Sequence, residues 1–187
     1  MNVRLLVAVY LTATAAWGAA TFDSFGGWEN LPWGMTVAAA HAALAAAGAR
    51  PELHDFPKDG TSILRFEREG WEKATAYFND RGFLCQVLLQ SPPVNTGAEA
   101  RGREAVVEAL YGAPTSTRAA RYGPDREDAF YVWENDRTVL TVTLAHYIQD
   151  GNWIVWEEYL PVTTPPSLEI PPNAPGPELL NPPVERP

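Results

Sequence analysis

Three histidines, one cysteine and a few adjacent acids are the side chains that could do chemistry in this chain of 187 residues. Glu157 and Glu158 are neighbours in a stretch of strand-forming residues. Successive strand side chains point to opposite faces, so the two carboxylates cannot act as a dyad. His41, His54 and His146 share no metal-ligand spacing, and His41 has no second ligand one helical turn away. His54-Asp55 is borne on a stretch rich in proline and turn-formers. Asp150-Gly151-Asn152 has the composition of a hairpin turn rather than of a calcium loop with its alternating oxygen ligands. Cys85, the single cysteine, has Phe83, Val87 and Leu89 at alternate positions, the setting of a small buried hydrophobe rather than of a reactive thiol. No nucleophile elbow, zinc-protease helix or phosphate loop occurs. These residues imply no catalytic centre, no metal and no cofactor.

The elements that would position any site begin after a leader. Residues 1–20 carry Arg4, an apolar run from Leu5 to Leu11 and then small residues up to Ala20, the layout of a secretory signal peptide. Cleavage is expected after Gly18 or Ala20, with export to a periplasmic or extracellular compartment. No cysteine stands near that point for lipid attachment, and no later run is long and apolar enough to span a bilayer. The whole chain carries 14 basic against 23 acidic residues, a net charge of −9. Such a balance repels nucleic acid and anionic lipid.

Thr36 is placed to cap a helix that Gly48 ends, and a second helix is expected from Glu99 to Tyr111, stopped by Gly112 and Pro114. Asn79-Asp80-Arg81-Gly82 makes a tight turn inside the stretch Trp71–Gln90, joining two strands. Strands are also expected at Ser62–Glu67, Ala129–Glu134, Thr138–Tyr147 and Trp153–Tyr159, with loops over 50–59 and 115–127. The alternation predicts an α+β domain over residues 21–160. It is read as tandem helix–three-strand units, about 31–90 and 97–160, with two helices packed on one face of an antiparallel sheet of about six strands. Residues 161–187 read as a proline-rich, disordered tail.

Leu31-Pro32-Trp33-Gly34-Met35-Thr36, the hairpin Ala74–Leu84, and Leu110-Tyr111-Gly112-Ala113-Pro114 with Trp133 and Thr138–Val142 carry a resemblance. The chain resembles small exported bacterial proteins of poorly defined function that open their helix with "WGMS/T". It is similar in architecture to β-lactamase-inhibitor-like and outer-membrane-assembly-lipoprotein-like folds. The resemblance covers about Leu31 to Leu160. It implies a fold, an exported location and protein binding as the commoner role, and it carries no catalytic residue. Two departures stand out: Ala39 replaces a frequent acid, and the lipoprotein cysteine is missing.

Seven tryptophans are many for this length, and aromatics are what peptide and carbohydrate binders use. Trp33, Trp133 and Trp156 are expected to fill the core. Trp71, which shares strand parity with Lys73 and Thr75, is expected on a wet face. The chain therefore reads as a non-enzymatic, exported cell-envelope module that binds a protein or peptide. Its surface is the open sheet face through Trp71, Tyr77, Gln86, Thr141 and Thr143. An exported hydrolase and a carbohydrate-binding module are the competing readings.

Overall fold

The computed structural model describes residues 26–162. The leader read over 1–20 and the tail read beyond 162 lie outside them. A short hairpin, β1 (Gly27–Trp28) and β2 (Leu31–Pro32), precedes helix α1 (Val37–Ala46). Four strands follow, β3 (Glu52–Phe56), β4 (Thr61–Phe66), β5 (Lys73–Phe78) and β6 (Leu84–Gln90). Then come α2 (Gly97–Tyr111) and four more strands, β7 (Ser116–Tyr122), β8 (Arg126–Glu134), β9 (Thr138–Tyr147) and β10 (Asn152–Pro161). All eight long strands lie in one antiparallel sheet, in the order β3-β4-β5-β6-β10-β9-β8-β7.

This corrects the expected α+β domain of helix–three-strand units. The described residues are mostly β, with about half of them in strand and two short helices among them. The additional sheet strands, β3 and β7, come from stretches read as loops. Both are edge strands, and nearly every residue of theirs is exposed. A strand with neither face buried writes no apolar alternation into the sequence. Strand β10 also runs one residue into the stretch assigned to the tail: Pro161 pairs with Thr138. As the last residue of the strand it needs no further ladder N–H.

Local chemistry explains the helix ends. The Thr36 hydroxyl accepts from the Ala39 N–H at 3.3 Å. Thr96 accepts from the Glu99 N–H at 3.2 Å, and the Glu99 carboxylate reaches back to the Asn95 N–H. Each satisfies N–H groups that a helix start leaves open. Gly112 ends α2 at φ +82°, and its carbonyl accepts from the Trp133 indole N–H at 2.8 Å.

The sheet has two apolar faces. On the first, Leu64, Ala76, Val87, Tyr159, Leu140 and Trp133 form one cross-strand row from β4 to β8. Ala40 and Leu44 of α1 and Ala100 and Val107 of α2 pack into the same cluster. Small side chains at Ala40, Ala74, Ala76 and Ala100 let the helices lie close to the sheet. No helix among the described residues is long and apolar enough to cross a membrane.

Candidate functional site

The second face is the one without a described helix on it. Its register is continuous across the sheet. One row runs through Glu52, Arg65, Thr75, Leu88, Glu158, Thr141, Val132 and Ser116, one residue from each strand. The next runs through Lys73, Gln90, Trp156, Thr143, Phe130 and Arg118. A smaller apolar cluster of Ile63, Tyr77, Cys85, Leu88, Ala145 and Trp156 lies under these rows.

Four of the five residues expected on the open face are here. Tyr77 pairs with Gln86 across β5 and β6, Thr141 pairs with Glu158, and Thr143 pairs with Trp156. Trp71 is not among them. It precedes β5 and packs against the helix-side core, where the Arg103 guanidinium lies 5.0 Å from its ring. Arg103 also donates to the Gly70 carbonyl at 2.9 Å. Parity counted back from Lys73 fails because Trp71 stands outside the regular strand.

Nor is this face simply wet. Tyr77, Gln86, Leu88 and Trp156 are buried, while Thr141 and Thr143 are half-exposed and Lys73, Arg65 and Arg118 stand in solvent. Large side chains bury one another to form a floor, and the threonines and cations make its rim. Trp156 belongs to this floor rather than to the helix-side core. Cys85 changes face as well. The pairing shifts between Tyr77 and Phe78, which sets Leu84 opposite Phe78 and moves Cys85 to the cluster of Tyr77 and Leu88. A bulge adds one residue and so reverses parity beyond it. Burial pushes the Cys85 thiol up to about 11, which keeps it protonated and unreactive.

The polar groups of the face are arranged to hold neutral or compensated charge. Gln86 Nε2 donates to Glu158 Oε1 at 2.6 Å. Burial raises the Glu158 carboxyl above its ordinary value, and the bond from Gln86 opposes that rise. Burial pushes the Tyr77 hydroxyl up to about 12; nearby Arg65 works against the shift and Glu158 adds to it. Tyr77 is therefore a neutral hydrogen-bond donor at physiological pH. At the other end, Arg126 Nε and Nη2 donate to Asp128 Oδ1 and Oδ2 at 2.8 and 2.7 Å. The Arg126 guanidinium lies 5.2, 5.5 and 5.2 Å from the rings of Tyr122, Tyr147 and Trp156. Arg118 lies 4.4 Å from the ring of Phe130. Cations over aromatic faces hold those rings in place. Neither Phe130 nor Arg126 was singled out by sequence pattern, because the cation–ring partners of each are on other strands.

Glu157 faces the helices, as its opposite parity to Glu158 requires, and accepts from the Tyr159 hydroxyl at 2.8 Å. The Glu29 carboxylate, in the turn between β1 and β2, is ion-paired with Arg68. The three histidines stand apart: His41 is exposed on α1, His54 is on β3, and His146 stacks on Trp153 at 4.3 Å. The second face thus has the means for recognition by hydrogen bonds and aromatic contact. Comparisons with protein families, curated proteins and solved structures find no match.

Proposed function

We propose that this is an exported cell-envelope protein that binds a protein or peptide segment on the second face of its sheet. The observation that carries the reading is the construction of that face: a buried aromatic floor of Tyr77, Phe130 and Trp156 inside a rim of half-exposed threonines and solvated cations. Binding energy concentrates where aromatic anchors are enclosed by polar groups that exclude water. The leader-like residues 1–20 support export. The resemblance to small exported bacterial proteins points the same way, with protein binding as the commoner role of that group.

Site-specific photo-cross-linking in the native envelope tests this. A photoreactive residue at Thr143 is expected to capture a discrete partner, whereas one at Val106, exposed on α2, captures none. Equal products from both positions, or none from Thr143, would sink the reading. Fusing residues 1–20 to a reporter that is active only after export tests the location independently.

A further inference from the structure

The two edges of the sheet are open. Strands β3 and β7 end it on either side, and among the described residues no further strand pairs with either. Each keeps an unbroken register with its inner neighbour, and neither contains proline. Bulges and prolines are two of the devices by which edges turn partners away. The third device, charge, works against a like edge and in favour of an opposite one. No helix shields the β3 edge: Leu53, on its helix side, is 48% exposed. Phe56 on β3 and Tyr122 on β7 are exposed as well, so three of the six exposed large apolar side chains among the described residues lie on these edges. Strand direction adds a constraint. All neighbours in the eight-stranded sheet are antiparallel, so β3 and β7 run opposite ways. A copy set beside the first in the same orientation therefore continues the alternation, and its two faces continue those of its neighbour.

We propose that β3 of one molecule pairs antiparallel with β7 of a second copy, joining the two sheets edge to edge. Charge selects this pairing. Strand β3 carries Glu52 on the second face and Asp55 on the helix side, and β7 carries Arg118 and Arg121 on the same two faces in turn. All four side chains are exposed. At the junction Arg118 shares a face with Glu52, and Arg121 shares one with Asp55. Their ties within the molecule leave that charge available. Arg118 rests on the Phe130 ring, Asp55 accepts from the Ser62 hydroxyl at 2.7 Å, and Glu52 lies 3.9 Å from His54. Arg121 Nε is 3.5 Å from Glu127, and an exposed pair of that kind holds little. The inner neighbours extend an alternation of sign: Arg65, Glu52 and Arg118 on one face, and Asp55, Arg121 and Glu127 on the other. Pairing β3 with β3 would set acids against acids, and β7 with β7 arginines against arginines, and like charges facing across a strand pair destabilise it. The same junction covers apolar surface of Leu53, Phe56 and Tyr122. Because it uses a different edge on each molecule, it does not stop at a pair. The inference does not depend on what the second face binds.

Sedimentation velocity of the purified full chain tests this. The average mass is expected to rise with protein concentration past that of a dimer, and to fall as salt is raised, because exposed charges are screened. Arg118→Glu with Arg121→Glu should move that rise to about tenfold higher concentration, and so should Glu52→Lys with Asp55→Lys. The substituted positions are exposed, so both variants are expected to keep the circular dichroism of wild type. Mixing the two variants in equal amounts should restore association, since each then offers the charge that the other's edge requires. A single molecule at every concentration, or a mass that stops at a dimer, would overturn the inference. So would association that is unchanged by either reversal, or a mixture that associates no better than its components.

Discussion

Glu157 shows how much one residue's behaviour depends on what lies above it. Its carboxyl is buried on the helix side of β10, and burial raises it to about 7. The bond from Tyr159 and the charges of Arg103 on α2 and Arg68 after β4 oppose the rise, while Glu29 adds to it. Tyr111 of α2 faces the same carboxyl, and its own hydroxyl is pushed up to about 12, mainly by burial and next by Glu157. Because the folded value lies above the ordinary 4.5, the folded protein keeps a proton that the unfolded chain releases. The stability from this group is fully present below about pH 4.5, declines as pH rises to about 7, and is then lost, a change on the order of 3 kcal/mol. Glu157→Gln keeps an acceptor for Tyr159 and removes the titration. Its Tm is expected to vary less than that of wild type between pH 4.5 and 8, and parallel curves would contradict this. Trp71 gives a second prediction at this scale. Trp71→Ala should cost about 2 kcal/mol, below the range for a fully buried aromatic, because Trp71 packs on the helix-side core and against Arg103. Urea unfolding measures that loss, and the Thr143 cross-link is expected to be unaffected.

At the scale of the element, the β5–β6 hairpin is held by its turn. Asn79 Oδ1 accepts from the N–H groups of Arg81 and Phe83 at 3.1 and 3.0 Å, and Gly82 takes φ +75°. Asn79→Ala is expected to destabilise by about 2 kcal/mol, one for each bond lost, and Gly82→Ala by about 1 kcal/mol for the left-handed backbone; chemical denaturation checks both. This turn was legible because Asn and Gly are chosen for conformations available to few other residues. The same holds for Thr36, Gly112 and the alternating stretch Thr138–Tyr147, which is β9 with those bounds. The bulge that carries Cys85 across the sheet was not legible, since an inserted residue leaves the composition unchanged. Edge strands β3 and β7 were missed for a different reason. Their backbone pairs on one side only and their side chains meet mostly solvent, so neither burial nor periodicity marks them.

For the whole molecule, the seam between β6 and β10 makes two four-stranded halves one sheet. Gln90, Leu89, Leu88 and Val87 pair with Trp156, Glu157, Glu158 and Tyr159. Just past them, Ser91 donates its N–H to the Val155 carbonyl and accepts from the Val155 N–H at 2.9 Å through its hydroxyl. Both apolar clusters cross this seam, Val87 with Tyr159 on one face and Leu88 with Trp156 on the other. Neither half can bury its face alone. Scanning calorimetry should therefore show one transition, and chains ending or starting near residue 95 should show no cooperative unfolding by themselves. Two separate transitions would mean that the halves are independent.

What the amino-acid sequence determined by itself was local: where helices start and stop, where hairpins turn, and which positions alternate. These follow from backbone preferences and from hydrogen bonds between residues a few places apart. The tertiary structure alone decided what each face meets. Periodicity reports that a side chain is turned toward something apolar, but not which element provides it, so Trp71, Trp156 and Cys85 could be placed only by the assembled sheet. Desolvation has the same dependence. Glu157 with its raised carboxyl, and Tyr77 with its raised hydroxyl, owe those properties to neighbours far away in the chain.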